Sequence, residues 1–402
     1  VVPDRYISTL STSVDSWIID GKKVQSTQKP TIVSSTLTWE KVTTLDLGLD
    51  ARFFNDALGV TFDWYNRTTS DILTTANLPA TLGADAPYEN MGTIQTKGWE
   101  LAIDYRHTFK NGLHFGVTAS VADDKTEVTK WTYNTKIPSY GATGWWDKSA
   151  YKEGMVLGDI WGLQFDRFLT EDDFNADGSL KAGLPDQTKV FPAGYQFAPG
   201  DVLYKDLDNN GEIVKQTNTN DKGDLSVIGN ALPRLQFGLN LDAAWKGFDI
   251  SMFFQGVAKR KLWAAGNQVL PGFTTGEPFY KGAEDYWTPE NTDAFYPRPM
   301  DYKQSASGNY SVNDRYLLNM AYLRLKTFTV GYSLPKVWLS KFKVQGLRVY
   351  FTGENLFTID GVKPAIDPEI GIRTASGKSD QRNFGRSYPY QKTVSFGIQL
   401  SL

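Results

Sequence analysis

The chain has 402 residues, of which 41% are hydrophobic, 14% are aromatic and none is cysteine. Without cysteine it has no disulfide, no thiolate metal site and no thiol nucleophile. Its formal net charge of -3 provides no basic surplus to neutralise a phosphate backbone, so we expect no nucleic-acid partner. Since no run approaches the roughly 18 to 20 apolar residues of a membrane-spanning helix, the chain would have to cross a membrane with strands.

Hydrophobic and polar residues alternate along much of the chain. In 44–53, Leu45, Leu47 and Leu49 point to one side of an extended backbone, while Asp46 points to the other. The same alternation occurs at 58–64, 99–106, 113–121, 235–245 and 393–402, and less regularly at 156–168, 200–207, 247–257, 321–333 and 344–357. A slip of phase between 325 and 328 predicts a β-bulge. Runs of about 9 to 11 residues suit tilted strands that cross a bilayer, so we predict an all-β chain of about eleven antiparallel strands.

The predicted strands are joined by connections of two lengths. Short turns are predicted at 54–57, 110–112, 246–247 and 333–346, and long loops at 66–97, 123–155, 208–229, 258–320 and 358–390. Short turns on one rim and long loops on the other are typical of outer-membrane barrels, with the short rim in the periplasm. The long segment 169–199 breaks this alternation. Because an open sheet edge in lipid leaves backbone groups unpaired, we expect a preceding part of the protein to supply further strands. We also expect any export signal in that part, since the sequence starts at Val1 without a basic stretch followed by an apolar one.

Alternation also occurs in soluble all-β proteins such as propellers and tandem sandwiches. In this chain Asp, Arg, Gln, Asn and Gly stand opposite the apolar faces, which favours a water-filled lumen on the polar side. A soluble β-fold stays open as the alternative at this point.

Several motifs resemble one known family of membrane barrels. They are LTWEK at 37–41 with LDLGLD at 45–50, DWYNRTTSDIL at 63–73, NMGTI and TKGWEL at 90–94 and 96–101, GD at 200–201 with KDLDNNG at 205–211 and IGNALP at 228–233, and YLRLK, GYSLP and GENLF at 322–326, 331–335 and 353–357. By these motifs the chain resembles the SusC/RagA family of TonB-dependent transporters. It departs from the family pattern at Leu402, where such barrels commonly end on an aromatic residue, and in the extra run 215–221.

The resemblance implies a transmembrane antiparallel β-barrel of about 22 strands in the bacterial outer membrane, of which this chain forms about the last eleven. Residues 37–402 would be the C-terminal half of the barrel, and 1–36 an extracellular loop or a preceding barrel segment. The family's plug domain and TonB box would lie in a missing N-terminal region. The implied function is TonB-driven import of oligosaccharides, glycans or peptides, with a SusD-like surface lipoprotein as lid. The resemblance leaves open a dimer of such pairs.

One loop has the spacing of a calcium-binding loop. Oxygen-bearing side chains occupy positions 1, 3 and 5, with glycine at position 6, as in an EF-hand. The three predicted ligands are Asp206, Asp208 and Asn210. The twelfth position is Thr217 rather than a bidentate Glu, so further oxygens would come from a residue such as Asp221 or Asp224. A Ca²⁺ or Mg²⁺ ion in 206–213 competes with a simple Asx-rich turn, and no other cofactor is expected.

A weaker copy of this spacing lies earlier in the chain. Asp173, Asn175 and Asp177 precede Gly178. Here the sequence favours an Asx turn without a metal ion.

Aromatic residues are frequent in the predicted long loops. Their rings could stack on sugar rings, or pack against the lid lipoprotein and one another, and both interpretations stay open. The candidates for substrate or lid contact are Tyr140, Trp145, Trp146, Trp263, Phe279 and Tyr280. The residues expected at the membrane interface are Trp99, Tyr105, Trp131 and Trp245.

No motif in the sequence fixes the roles of an acid, a base or a nucleophile, so we predict that the protein is not an enzyme. Its two histidines, His107 and His114, flank a tight turn, where exposed side chains are favoured over a metal-binding pair. A surface glycan-binding protein without transport is the alternative function. Sugar and peptide stay open as substrates.

Overall fold

The computed structural model describes residues 12–27, 32–75, 87–132, 151–215, 223–264, 266–273, 279–300, 308–339, 344–364, 366–369 and 390–401. The strands are β1 Thr12–Ile19, β2 Lys22–Thr27, β3 Lys41–Phe53, β4 Leu58–Thr75, β5 Tyr88–Thr108, β6 His114–Trp131, β7 Asp159–Gly162, β8 Phe165–Phe168, β9 Val202–Tyr204, β10 Ser226–Asn230, β11 Arg234–Trp245, β12 Phe248–Lys259, β13 Lys261–Leu262, β14 Leu318–Asn319, β15 Tyr322–Ser333, β16 Gly346–Glu354, β17 Thr358–Asp360 and β18 Thr393–Ser401. One helical turn, α1, spans Lys336–Leu339, and 3-10 turns span Glu171–Asp173 and Lys281–Ala283. Within these ranges no helix is long and apolar enough to span a membrane.

Nine strands form one continuous antiparallel sheet, which we call the wall. Their order is β3-β4-β5-β6-β11-β12-β15-β16-β18, and β17 pairs with the start of β15. Each wall strand pairs with the wall strands that precede and follow it along the chain, as the predicted turns and loops require. The predicted bulge is confirmed, because Phe253 pairs with Thr327 and Phe254 with Leu325, which leaves one extra residue in β15.

Two of the predicted strands lie outside the wall. Segments 156–168 and 200–207 give β7, β8 and β9, and these pair only in two-stranded sheets, β7 with β10 and β8 with β9. A wall strand exposes one face, whereas all three residues of β9 are buried. This part of the prediction was wrong. The chain between β6 and β11 is therefore one long connection, and the break in the alternation of short turns and long loops at 169–199 disappears.

The wall has one apolar face and one polar face. On its edge strands the apolar side chains are widely exposed, Leu47 of β3 by 59% and Phe396 of β18 by 82%. On the opposite face, Asp50 of β3 accepts a hydrogen bond from the Thr61 hydroxyl of β4 at 2.7 Å. Soluble proteins rarely expose so broad an apolar face. The apolar face therefore suits lipid and the polar face suits water.

Charged side chains tie together wall strands that are not direct neighbours. Arg348 of β16 reaches over β15 and donates to both carboxylate oxygens of Asp249 of β12, at 3.0 and 2.5 Å. A Cβ at Gly331 of β15 would lie 2.5 Å from Arg348 Nη2, so the bridge needs a glycine beneath it. In the same way Arg52 of β3 pairs with Asp104 of β5 at 2.8 Å, across a glycine of β4.

The described parts of the connections 151–233 and 260–321 form a separate layer, which we call the loop layer. Its core consists of two clusters of buried apolar side chains. Between them Asp201 is fully buried and accepts hydrogen bonds from Tyr195 Oη at 2.8 Å, Arg298 Nε at 2.8 Å and Asn309 Nδ2 at 3.0 Å. Since a buried carboxylate is costly unless it is paired, these donors hold the two connections together.

Replacing Leu47 by Arg in the middle of β3 is expected to destabilise the barrel by about 2 to 4 kcal/mol, because the guanidinium would face lipid. The matched control is Asp46→Arg, which places the same charge on the polar face and should leave stability nearly unchanged. Urea unfolding of the full-length protein in lipid vesicles, followed by the loss of β-structure, measures both. Equal losses for the two variants would contradict the assignment of the faces.

Candidate functional site

The loop after β9 brings three carboxylates together. One oxygen from each of Asp206, Asp208 and Asp224 lies within 4.8 Å of the others. Asp206 and Asp208 are predicted ligands, and Asp224 is one of the two residues suggested as an additional ligand. Asp221, the other, lies outside the described residues. The third predicted ligand, Asn210, lies beside them, and its Nδ2 donates to Asp208 Oδ2 at 3.1 Å.

Backbone N–H groups already bind several of these oxygens. Asp206 Oδ2 accepts from Gly211 N at 2.7 Å, and Asp224 accepts from two backbone N–H groups at 2.7 Å each. Burial raises the pKa of Asp224, and the negative charges of Asp208 and Asp206 raise it further. A hard cation would relieve this repulsion, while the backbone contacts are those of an Asx turn. The oxygen ligands fit Ca²⁺ or Mg²⁺, and the ion stays a prediction.

The weaker copy of the motif is a turn held by other contacts. Asp173 pairs with the Arg167 guanidinium at 2.6 and 2.7 Å, and Asp177 accepts from Ser179 N at 3.0 Å. The hydrogen bonds from Arg167 lower the pKa of Asp173 to about 2. Each acid has a partner of its own, and these contacts are those of a turn.

The structure separates the predicted substrate-contact residues into three groups. Those that lie outside the described residues are Tyr140, Trp145 and Trp146. Trp263 is only 3% exposed and packs in the core of the loop layer, which fits packing among the loops and excludes an exposed ring for substrate or lid contact. Phe279 and Tyr280 are exposed and line a cavity of 450 Å³.

Three further tyrosines line the same cavity and were not among the predicted contact residues. They are Tyr286, Tyr296 and Tyr310. The available signal was the density of aromatic and proline residues between 279 and 299. Tyr310 comes from a later segment, and only folding brings it to the others.

Two of the four residues predicted at the membrane interface fit that position. Trp245 and Tyr105 are exposed near the ends of β11 and β5 that adjoin short turns. Trp99 lies in the middle of β5 and is half-buried. Trp131 is 7% exposed and packs on Tyr151 with ring centroids 5.0 Å apart, so its prediction was wrong. Its ring lies in a buried cluster with Tyr151 and Met155.

The two histidines do not form a pair. His107 lies opposite Phe115 across the β5–β6 hairpin, whereas His114 lies opposite Thr108. Successive strand residues point to opposite faces, so the two imidazoles lie on different sides of the wall. His114 Nε2 is instead 3.5 Å from Asp242.

Asp173→Asn is expected to destabilise the turn at 167–181 by about 1 kcal/mol at pH 7, because Arg167 is partly exposed and solvent screens the pair. The folded-state pKa of Asp173, about 2, lies below the unfolded value of about 3.9. The pair therefore stabilises the fold above about pH 4 and loses its effect as the pH falls towards 2. Hydrogen exchange of 169–181, corrected for intrinsic rates, measures this. A difference between wild type and variant that does not shrink in acid would contradict the ion pair.

Adding about 1 mM Ca²⁺ to chelator-treated full-length protein is expected to slow hydrogen exchange in 205–214, since extracellular sites bind Ca²⁺ with dissociation constants of about 0.1 to 1 mM. Asp206→Asn should abolish the response. Asp177→Asn, an exposed Asx-turn residue outside the cluster, should retain it. An unchanged rate in the wild type would mean that the loop is an Asx turn without an ion.

Comparison with known proteins places the wall from β3 to β16 in one family. The model of the family described as TonB dependent receptor-like, beta-barrel, matches residues 6–356. TonB-dependent receptor P3 of Formosa agariphila is 27% identical over 395 residues, which cover 95% of this chain and 36% of that protein. TonB-dependent receptor SusC of Bacteroides thetaiotaomicron is 24% identical over 391 residues, covering 95% of this chain and 34% of that protein. The chain thus spans about a third of the length of these curated relatives.

A solved structure has the same fold. The RagAB peptide importer in its open-open state superposes with a TM-score of 0.68 at 20% identity, covering 100% of this chain and 38% of that chain. The exposed apolar face, the polar face opposite it and the alternation of short and long connections agree with this match. The chain, which is similar to SusC in sequence and to RagAB in fold, belongs to the family of TonB-dependent receptor-like β-barrels and resides in the bacterial outer membrane.

Proposed function

We propose that the full-length protein imports oligosaccharides, other glycans or peptides across the outer membrane, driven by TonB. In this proposal it is the pore subunit of a complex with a SusD-like surface lipoprotein. The observation that carries the proposal is the two-faced wall. Its polar face, with charge pairs such as Arg348–Asp249, would line a water-filled lumen wide enough for a hydrophilic solute.

The unpaired edges of the wall are an argument for a larger pore. Among the described residues, β3 and β18 each have a wall neighbour on one side only. An unpaired edge in lipid would leave a row of N–H and C=O groups without partners. Further strands of the full-length protein would pair with both edges. They would belong to the two thirds of the relatives' length that this chain does not match.

The relatives support import rather than catalysis. The matched family consists of TonB-dependent receptors, and the matched structure is described as a peptide importer. The names of the receptors P3 and SusC state no substrate, so both substrate classes stay open in this proposal. TonB would act through the N-terminal region of the full-length protein. The proposal also allows two complexes of transporter and lipoprotein to form a dimer. The loop layer, with its exposed rings at Phe279 and Tyr280, is where a lid or a substrate would make contact.

Deleting the TonB box of the full-length protein in its native host is expected to abolish growth on the nutrient that the wild type imports, since transport would lose its energy source. Growth on neutral polysaccharides or on casein peptides as sole carbon source measures the effect. An immunoblot of the outer membrane is the control that the variant is still inserted. Mass spectrometry of the detergent-purified wild type should identify a SusD-like lipoprotein. Undiminished growth of the variant would favour the alternative, a surface glycan-binding protein without transport.

A further inference from the structure

The apolar face of β5 shows where the wall leaves the membrane. β5 has 21 residues, twice the roughly 9 to 11 that a tilted strand needs to cross a bilayer. On this face Trp99 and Phe109, which lies just beyond the short-turn end of β5, are ten residues apart. At about 3.3 Å per residue and a tilt of about 40°, ten residues cover about 25 Å, the height of the apolar band of such barrels. Trp99, in the middle of β5, therefore lies where the outer leaflet ends.

The neighbouring strand has the same boundary. Trp99 lies directly opposite Trp64 of β4, and Trp rings are enriched at the level of the lipid headgroups. Between this boundary and the short turn, the side chains of β5 on the apolar face are those of Leu101, Ile103, Tyr105 and His107. None of them is an acid, a lysine or an arginine, so the apolar band ends at the two tryptophans.

Two lysines oppose each other directly beyond the tryptophans, and we call them the lysine pair. Lys97 of β5 is the register partner of Lys125 of β6, and both side chains are exposed. Because Lys97 is two residues from Trp99, it points to the same face of the wall. Like charges directly opposite each other on neighbouring strands repel and destabilise a sheet. The lysine pair is therefore a place where an anion would stabilise the wall.

The acids beside the lysine pair offset its charge incompletely. Lys125 Nζ lies 3.4 Å from Glu127 Oε2, and both side chains are about half exposed. Asp123 is taken up by the Arg234 guanidinium, which donates to both of its carboxylate oxygens. Within the described part of the chain, Lys97 has no carboxylate partner. The lysine pair thus keeps a net positive charge at the outer edge of the lipid.

We propose that the lysine pair binds the phosphate of an outer-leaflet glycolipid, the phosphorylated glucosamine headgroup of lipopolysaccharide. The phosphate lies between the two ammonium groups and accepts hydrogen bonds from both, which removes their repulsion. Its height matches, because this lipid carries phosphate on the sugars that hold the acyl chains, at the boundary between lipid and water. The acyl chains then lie along Leu101 and Phe62 of the apolar face. This site concerns the outer surface of the wall and is independent of what the protein transports.

Native mass spectrometry of the full-length protein, purified in detergent and freed of bound lipid, tests the proposal. The probes are diphosphoryl lipid A, the same lipid A without its phosphates, and phosphatidylglycerol, each titrated separately. Lys97→Gln and Lys125→Gln should each weaken the binding of diphosphoryl lipid A about fivefold, the contribution of one lysine near an anionic lipid surface. The lipid without phosphates loses both contributions and should bind about 25-fold more weakly to the wild type.

The controls separate this site from lysines in general. Lys97→Arg retains the charge and should retain the affinity. Lys110→Gln removes an exposed lysine in the short turn of the same β5–β6 hairpin, on the other side of the membrane. Arg67→Gln removes a charge at the same height on the polar face, since Arg67 follows the outward-pointing Asn66 in β4. Both glutamine controls should bind diphosphoryl lipid A as the wild type does.

Lysines at a membrane boundary also extend into water without a specific lipid partner, and the same titrations detect that case. The proposal is overturned if lipid A binds equally with and without phosphate, or if phosphatidylglycerol binds as tightly as diphosphoryl lipid A. It is also overturned if the variants of the lysine pair bind as the wild type does, or if Lys110→Gln weakens binding as much as they do. A glutamine variant of the pair with altered thermal unfolding is replaced by Lys97→Met or Lys125→Met, which keeps the length of the side chain without its charge.

Discussion

A chain that crosses lipid must satisfy every backbone N–H and C=O within the protein, and strands do so only by pairing with neighbours on both sides. The nine-strand wall follows from this requirement, because each inner strand has a continuous antiparallel partner on either side. Strand pairing also fixes the side chains, which point alternately to the two faces. The same backbone pairing that makes the wall stable therefore separates an apolar face from a polar one.

The polar face has to accommodate charge without leaving it unpaired. The wall does this with bridges over glycine, in which a cation and an anion two strands apart meet above a residue that has no side chain. Arg348 and Asp249 meet above Gly331, and Arg52 and Asp104 meet above Gly59. A Cβ in either glycine position would collide with the bridge. Glycine at these two positions is thus set by side-chain chemistry rather than by a turn, and the four charges of the two bridges are neutralised in pairs.

Alternation predicts the wall well because each wall strand is in contact with two different environments. It fails at 200–207, where all three residues of β9 are buried. It also fails at 156–168, where β7 and β8 alternate between buried and partly exposed residues but pair outside the wall. Exposure of a loop ring depends on packing between distant segments, so the sequence did not distinguish the buried Trp263 from the exposed Phe279. Local spacing was more reliable, since Asp206 and Asp208 lie together as the motif predicts.

The wall and a cavity in the loop layer are connected through a buried ion-pair cluster that no local pattern predicts. Arg324 of β15 is almost fully buried and lies 2.8 Å from Asp367 and 3.0 Å from Glu369, and Glu369 also pairs with Lys326 at 2.7 Å. Removing one partner of a buried pair leaves the other charge buried and unpaired, which typically lowers the free energy of unfolding by about 3 to 5 kcal/mol. The loop that carries these acids also brings Lys363 to a cavity of 360 Å³ that Asp285, Asp293 and Arg315 line as well. That side of the cavity is therefore anchored to a membrane strand, and the loop cannot leave it without breaking the cluster.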